Sequence, residues 1–297
     1  MVQALYRTDF DVVRHFPRIS FSTNVYDNPA DILGSIKSLG QHFDAVEFEV
    51  GEAAEKVFWS LSPAQRKELA QRISDYAQES GIELTVHAGW WGREYNLCSA
   101  DMSERAVAIQ KLADTVEFSR IAGATSVSFH PGYKDSHENA VLLENLIQAL
   151  NATKAICDHE NLHLCLENMG DQRPRYPIFS MAEHRRFHEQ TGCHVTIDVT
   201  HLCSLFAYGP QLFSAIEAIA PITRHLHVAD LDGMKHQHLP LGEGNLPLTD
   251  VLNRFAMSGY RGVAVVEEFI RSYATQFYLD RAIEYRKNIE DLIAQIH

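Results

Sequence analysis

The sequence predicts a single domain over residues 1–297, of the α/β class, folded as a closed (β/α)8 TIM barrel. Eight short, apolar, β-branched runs alternate with longer helical patterns from one end of the chain to the other. Strands separated by helices pair in parallel through βαβ crossovers. Eight units in this length give about 37 residues per unit, which suits a barrel of ordinary size with some insertions. The alternative, an open doubly wound sheet, often has a glycine-rich phosphate loop after its first strand, and none follows the first run here.

The eight runs are the predicted strands. They lie at 18–22, 45–50, 83–88, 126–130, 162–168, 194–198, 224–230 and 262–268. Their short length and their β-branched residues favour strands over buried helices.

Capping signals mark several of the helices between these strands. Residues 62–65, Ser-Pro-Ala-Gln, form a capping box with proline at the first helical position, and a glycine ends that helix. Ser103 is expected to cap a helix over 104–121, which also ends at a glycine. A second capping box lies at 180–183, and the last helix is predicted from about 273 to 296.

Composition limits the classes of partner. The net charge is −13, which argues against a broad non-specific nucleic-acid surface, so a nucleic-acid partner is not expected. No apolar run reaches the roughly 18 residues of a membrane span, and the first residues lack a signal-peptide pattern. We therefore expect a soluble, cytoplasmic protein with a small-molecule substrate and no membrane contact; a homo-oligomer is left open. The five cysteines are odd in number and form no CxxC, so neither a disulfide framework nor a zinc knuckle is expected.

The ends of six successive strands, the third to the eighth, carry residues that can bind a divalent metal. They are His87, His130, Glu167, Asp198, His227 and Glu267. In this fold the chemistry takes place at the C-terminal ends of the strands. Taken singly, each residue could be a packing residue or a helix cap. The repetition of ligand types at every successive end predicts a metal site, and mixed imidazole and carboxylate ligands suit Zn, Mn, Co or Fe better than Mg.

Further candidate ligands and substrate contacts lie just beyond the strand ends. His201 follows Asp198 in the stretch DVTH. The loop after the seventh strand carries His236 and His238. Two glycines bracket an acid in HLPLGEGNL, at the end of this loop, and predict a tight turn there.

Aromatic and basic residues at the same end of the barrel are candidates for substrate binding. Trp90 and Trp91 follow the third strand, where they could stack on a ligand or form a packed lid. Arg173 and Arg175, after the fifth strand, are well placed to meet an anion, although a solvated loop is an equal alternative.

Several acids and one histidine are harder to assign. His225 shares a strand face with His227 one layer deeper, which predicts a core residue or one behind the ligands. Glu267 and Glu268 are adjacent and should face opposite ways, and we expect Glu267 to face the site. Either Glu47 or Glu49 is a candidate to reach the mouth from the second strand.

Seven motifs together resemble the xylose isomerase-like TIM barrels, a superfamily that also includes the AP endonuclease family 2. They are HAGW (87–90), FHPGY (129–133), LENMG (166–170), DVTH (198–201), HVAD (227–230), HLPLGEGN (238–245) and VVEE (265–268). The resemblance covers nearly the whole chain. It implies a metal-dependent TIM-barrel enzyme, and the superfamily contains both sugar or sugar-phosphate isomerases and epimerases and the endonuclease IV type of DNA repair enzyme.

Two ligand patterns of the superfamily compete in this chain. The epimerase pattern implies one divalent metal on Glu167, Asp198, His227 and Glu267, with the two glutamates as catalytic acid and base and with His201 on the substrate. The endonuclease IV pattern implies three zinc ions on nine ligands, of which eight match in type. The nine are His87, His130, Glu167, Asp198, His201, His227, His236, His238 and Glu267. At position 236 the repair enzymes have aspartate, and this chain has histidine.

Other segments resemble the isomerase branch more than the repair branch. The first strand and its loop read ISFSTNVYDNP and lack the histidine-containing segment of the repair enzymes. The loop after the second strand, EFEVGEAAEK, is acidic where phosphate contacts need lysine or arginine. The sequence therefore predicts a sugar or sugar-phosphate isomerase or epimerase that uses one to three divalent metals. A multinuclear zinc phosphodiesterase acting on abasic DNA, and a dehydratase, lyase or oxidative metalloenzyme, remain alternatives.

Overall fold

The computed structural model describes residues 17–25, 31–157, 160–170, 175–233, 238–268 and 275–294, and in them eight parallel strands form a closed barrel. The strands are β1 (Arg18–Ser22), β2 (Ala45–Glu49), β3 (Glu83–His87), β4 (Ser126–Phe129), β5 (His163–Glu167), β6 (His194–Asp198), β7 (Thr223–Val228) and β8 (Val263–Val266). Each strand pairs with the next, and β8 pairs with β1. The predicted fold class is confirmed, and every strand lies within two residues of its predicted bounds.

Helices surround the barrel on its outside. They are α1 (Ile32–Leu39), α2 (Glu52–Ser60), α3 (Pro63–Ser80), α4 (Met102–Ala122), α5 (Asn139–Ile156), α6 (Met181–Thr191), α7 (Val199–Leu205), α8 (Pro210–Ile219), α9 (Leu248–Met257) and α10 (Thr275–Ala294). Two helices, not one, follow each of β2 and β6. Among the described residues, no helix combines the length and the apolar composition that crossing a membrane requires.

The helix starts follow local capping chemistry. Both predicted capping boxes are present. The hydroxyls of Ser62 and Ser180 accept the backbone N–H of Gln65 and Glu183, and the side chains of Gln65 and Glu183 accept the backbone N–H of the two serines. The predicted N-cap residue of α4, Ser103, is wrong. Asp101, not Ser103, accepts the first backbone N–H groups of α4, and the Ser103 hydroxyl donates to the same Asp101 oxygen at 2.6 Å. A carboxylate is the stronger partner for the positive end of the helix.

The inside of the barrel is polar, whereas the layer between the strands and the helices is apolar. Outward residues such as Phe48, Val127 and Leu166 belong to one large buried cluster with the helices. Only a small apolar cluster, Ala45 with Val263 and Val265, stands apart from it among the residues that the structure describes. Barrel interiors are usually filled by branched apolar residues. Buried serines, threonines, histidines and glutamates in this interior therefore require internal partners.

Candidate metal centre

The predicted metal-binding residues meet at the C-terminal end of the barrel. Five of them are buried and lie at the end of a strand or within one residue of it: His87, Glu167, Asp198, His227 and Glu267. His130 follows β4 directly and is slightly exposed. Parallel strands end at the same edge of the barrel, so residues far apart in the chain converge.

Glu167 lies at the centre of the imidazoles. Its Oε2 is 3.0 Å from His87 Nε2, 3.3 Å from His130 Nε2 and 3.3 Å from His227 Nδ1. Its Oε1 is 3.4 Å from His201 Nδ1. One buried carboxylate thus contacts histidines from the ends of three other strands and one histidine on α7.

A second carboxylate faces the same histidine nitrogen. His227 Nδ1 lies 3.3 Å from Glu267 Oε2 as well as from Glu167. With Asp198, these residues form a buried quartet whose ligand atoms all lie within 4.8 Å of one another. This metal quartet, Glu167, Asp198, His227 and Glu267, is the four-residue set that the resemblance to the epimerases implies.

Asp198 joins the quartet to two further histidines. Its Oδ1 caps α7 by accepting His201 N–H at 2.8 Å, and it accepts the Thr200 hydroxyl at 2.6 Å. Its Oδ2 lies 3.8 Å from His201 Nε2 and 3.5 Å from His238 Nε2. The strand-to-helix turn at Asp198 therefore places a carboxylate oxygen and an imidazole side by side.

Backbone carbonyls orient three of the imidazoles. Nδ1–H of His87 donates to the carbonyl of Ala88 at 2.7 Å, and that of His201 donates to the carbonyl of Asn168 at 2.7 Å. Nδ1–H of His238 donates to the carbonyl of Glu267 at 2.9 Å. In each ring Nε2 then faces a carboxylate of the cluster. Anchoring of one ring nitrogen in this way is how proteins present the other to a metal.

Burial and neighbours separate the proton affinities of the two glutamates. Burial raises the pKa of Glu167, but His130 and His227 outweigh it and hold this pKa well below its usual range. Burial raises the pKa of Glu267 well above its usual range, because the attraction of His227 is opposed by Glu167 and Glu49. Burial lowers the pKa of His87, but the bond to Glu167 outweighs burial and raises it to about 9. The carboxylates thus favour positive charge on His87 and His227, whereas burial prevails at His130 and His238 and lowers the pKa of both.

Aromatic side chains form one wall of the mouth. The ring of Trp90 stacks on His130 with 5.6 Å between centroids, and its Nε1–H donates to Glu49 at 3.3 Å. The guanidinium of Arg175 lies 4.0 Å from the centre of the half-exposed ring of Trp91. Of the predicted site residues, His236 and Arg173 lie outside the described residues.

The sequence left open whether Glu47 or Glu49 reaches the mouth from β2, and in the structure both side chains lie inside the barrel. Glu47 Oε2 is 2.8 Å from His225 Nε2 and 3.4 Å from His227 Nε2. Glu49 lies nearer the mouth and accepts bonds from Ser22 and Trp90. Their spacing of two along a strand was the signal that both face inward. Glu268, as expected, faces away from Glu267 and accepts Leu241 N–H at 2.9 Å.

The loop HLPLGEGNL is held by a carboxylate at the end of HVAD. Asp230 is buried, and it accepts the backbone N–H groups of Leu231, Gly242 and Leu246 at 2.8–3.0 Å. Gly244 passes so close that a Cβ there would lie 2.3 Å from Asp230 Oδ1. The tight turn predicted from the glycines therefore serves to fold the loop around Asp230, with His238 at its start.

The donor set fits a divalent cation. Two buried atoms at its centre, Asp198 Oδ2 and His227 Nδ1, have no hydrogen-bond partner within the part of the chain that the structure describes. Buried polar atoms are nearly always satisfied. Carboxylate oxygens and imidazole nitrogens are the ligands of Zn, Mn, Co and Fe in proteins, and a cation among them would satisfy both atoms.

Comparison with known proteins agrees with the barrel fold. The family model described as "Xylose isomerase-like TIM barrel" matches residues 33–294. A Streptomyces coelicolor protein named "Putative hydroxypyruvate isomerase" is 28% identical over 218 residues, which are 69% of this chain and 75% of that protein.

Two solved structures share the fold. A D-tagatose 3-epimerase-like protein has a TM-score of 0.72 and 22% identity, and the match covers 94% of this chain and 97% of that one. Endonuclease IV from Thermus thermophilus has a TM-score of 0.65 and 18% identity, and the match covers 92% of this chain and 99% of that one. At these identities, the likeness establishes a common architecture and leaves the reaction to be argued from the site.

Proposed function

Since the chain belongs to the xylose isomerase-like TIM barrel family, we propose that it is a divalent-metal-dependent isomerase or epimerase of a small sugar-like hydroxy-carbonyl compound. The metal quartet carries the proposal. It unites three carboxylates and one imidazole, all buried, within 4.8 Å at the catalytic end of the barrel. The names of the relative and of the epimerase-like structure support the same class of reaction.

The two glutamates of the quartet are the proposed acid and base. Glu167 and Glu267 come from strands that are not neighbours in the barrel, so their carboxylates reach the site from different directions. One carboxylate takes the proton from the carbon beside the carbonyl, which leaves an enediolate. The other returns a proton to the opposite face in an epimerisation, or to the neighbouring carbon in an isomerisation.

Asp198, His227 and the two glutamates would hold the metal. A bound divalent ion would polarise the substrate carbonyl and stabilise the negative charge that develops on its oxygen. The chain's own residues hold this arrangement in place. Asp198 N–H donates to the Asn168 side chain at 2.7 Å, and Asn168 Nδ2 donates back to the Asp198 carbonyl at 3.3 Å.

The rim of the site has a binding role in this proposal. His201 is fixed at Nδ1 by the Asn168 carbonyl, so its Nε2 can meet a substrate hydroxyl. The rings of Trp90 and His130, which stack on each other, form an apolar face beside Glu167. Such a face excludes water from one side of a bound sugar and protects the enediolate from solvent.

The direct test is proton exchange in heavy water. Protein loaded with Mn, Co or Zn is incubated with hydroxypyruvate and with D-tagatose, and deuterium entry at the carbon beside the carbonyl is followed by NMR. We expect Glu167→Gln and Glu267→Gln to slow exchange by about 10²–10⁴-fold, the usual contribution of an acid or base.

The control for this test is Glu268→Gln. This variant removes a neighbouring buried carboxylate that points away from the quartet, so exchange should continue near the wild-type rate. Metal content and circular dichroism are recorded for each variant, which separates a lost acid or base from a lost metal or a lost fold. A folded, metal-loaded Glu167→Gln protein with nearly full exchange would refute the proposed role.

A multinuclear metal hydrolase is the second candidate, and one observation favours it. His87, His201 and His238 all have Nδ1 anchored on a carbonyl and Nε2 facing a carboxylate, which is more imidazole than one metal needs. Asp198, His201 and His238 also form a second group of possible ligands, which shares Asp198 with the quartet. The net charge of −13 opposes a DNA substrate.

Metal stoichiometry distinguishes the two candidates. Elemental analysis of the tag-free protein is compared with His238→Ala. About one metal per chain, unchanged by the substitution, supports the isomerase. Two or three metals, with a loss in the variant, together with chelator-sensitive nicking of abasic DNA, would support the hydrolase instead.

A further inference from the structure

A buried polar pair lies inside the barrel, one layer below the metal quartet. Glu47 is at the middle of β2 and His225 is on β7, and β2 and β7 are not paired strands, so their contact crosses the interior. Glu47 is fully buried and His225 almost so. A buried carboxylate is costly unless charged or hydrogen-bonded groups surround it, so this placement calls for a reason beyond packing.

The hydrogen bonds around this pair assign its protons. His225 Nε2 is 2.8 Å from Glu47 Oε2, and His225 Nδ1 is 3.3 Å from the hydroxyl of Ser126. The simplest assignment has His225 Nε2–H donating to Glu47 and the serine hydroxyl donating to Nδ1. The Glu47 carboxylate is thus held in place by His225, a residue that is not part of the metal quartet.

The same oxygen of Glu47 also faces the histidine of the quartet. His227 Nε2 lies 3.4 Å from Glu47 Oε2, while its Nδ1 lies 3.3 Å from both Glu167 and Glu267. A neutral imidazole carries one proton, and the nitrogen that binds a metal must be the other one. If Glu47 accepts the proton at Nε2, the lone pair of Nδ1 is directed at the quartet.

We infer that Glu47 is a positioning residue of the metal centre: it accepts Nε2–H of His227, fixes the tautomer and rotation of that ring, and is itself held by His225. The inference rests on the proposed function, because it requires a metal at the quartet. Carboxylates behind ligand histidines orient the ring and raise its basicity, and their removal typically costs about 10–100-fold in metal affinity.

The first test needs no substitution at Glu47. Protein with ¹⁵N-labelled histidine is loaded with zinc, which is diamagnetic, and long-range ¹H–¹⁵N spectra report which ring nitrogen carries the proton. A His227→Gln sample assigns the His227 signals. We expect a proton on Nε2 and a zinc-shifted Nδ1. A proton on Nδ1 would overturn the inference.

The second test measures zinc affinity by competition with a chelating dye. Glu47→Gln preserves shape, and we expect zinc to bind about 10-fold more weakly. The matched control is Glu268→Gln, which removes a buried carboxylate that points away from the quartet and accepts Leu241 N–H. This control should stay close to the wild type. Equal losses in both variants would mean that charge alone matters, and would overturn the positioning role.

The outcomes separate the inference from the proposed function. If the wild type binds zinc, Glu167→Gln weakens that binding and Glu47→Gln does not, the quartet stands and the role of Glu47 is refuted. If the wild type binds no zinc, both the metal centre and the inference fail. A merely structural Glu47 would lower the unfolding temperature of its variant and leave zinc affinity and the His227 proton unchanged.

Discussion

The loop that carries His238 depends on one buried carboxylate, which makes Asp230→Asn an informative perturbation. Asp230 Oδ1 accepts N–H from Leu231 at 2.8 Å and from Leu246 at 3.0 Å, and Oδ2 accepts N–H from Gly242 at 3.0 Å. Asparagine has the same shape but replaces one oxygen with an NH2 group. If the remaining oxygen of asparagine keeps the two bonds that Oδ1 accepts, the NH2 group takes the place of Oδ2 and faces the N–H of Gly242, which is also a donor.

The cost follows from these three bonds. One charge-assisted hydrogen bond is lost outright, and such bonds contribute about 1.5–3 kcal/mol each. The other two become bonds to a neutral acceptor and weaken. We therefore expect Asp230→Asn to lower the free energy of unfolding by about 2–3 kcal/mol. Asp230→Ala, which leaves three backbone N–H groups without this acceptor, should lower it further.

Urea unfolding followed by tryptophan fluorescence and circular dichroism measures the effect. The control is Asp232→Asn in the same loop, where the carboxylate is exposed and accepts a bond from the side chain of Asn245. That change should stay within about 0.5 kcal/mol, as for most surface substitutions. An Asp230→Asn protein within the same range would refute the view that Asp230 organises the loop.

Two further predictions concern a pH response and a backbone contact. Burial, followed by the charge of Arg224, lowers the pKa of His194 to about 4, so the unfolded chain takes up this proton first and stability falls as pH drops from about 6.5 towards 4. His194→Asn should remove part of that loss, about 1 kcal/mol at pH 5 after allowing for the partial exposure of the site. Urea unfolding at pH 7 and at pH 5 measures this, and an equal loss of stability in both proteins between the two pH values would contradict it. Gly132 has a positive φ of 106°, and a Cβ there would lie 2.8 Å from the Cα of Asn96, so Gly132→Ala should lower the free energy of unfolding by more than about 2 kcal/mol. Gly81→Ala, at a positive φ with open space around it, is its control in the same urea assay.

The barrel and the convergence of its strand ends were predictable because both follow from periodicity. A run that ends in a histidine or a carboxylate places that side chain at the mouth whatever the neighbouring side chains are. The location of Glu167, Asp198 and His227 at the mouth could therefore be predicted from their positions in successive strands alone. The family resemblance of the motifs pointed to the same residues independently.

Contacts across the interior were not predictable in the same way. The contact of Glu47 with His225 joins β2 and β7, two strands that are not neighbours in the barrel, so it depends on how the sheet closes in three dimensions. The register between β6 and β7 also shifts between Val195 and Thr196, and a sequence pattern carries no mark of such a shift. The N-cap of α4 was predicted wrongly for a local reason. Serine and aspartate are both favourable N-cap residues, and the sequence does not show which of the two lies at the start of the helix.

The density of imidazole in this site has a physical explanation once its charges are considered together. Glu167 and Glu267 face one nitrogen of His227 at equal distance, and Glu47 faces the other. One imidazole can hold at most one positive charge, so it cannot balance three buried carboxylates. Burial, with the nearby charges of Glu167 and Glu49, therefore raises the pKa of Glu267 well above its usual range in spite of His227. A divalent cation at the quartet would remove this imbalance and keep Glu267 ionised near neutral pH.

Metal binding should therefore release protons, and zinc affinity should rise with pH through the range in which Glu267 and the imidazoles lose them. Potentiometric titration with added zinc measures that release directly, and a zinc affinity independent of pH between about 5 and 8 would contradict this account of the site.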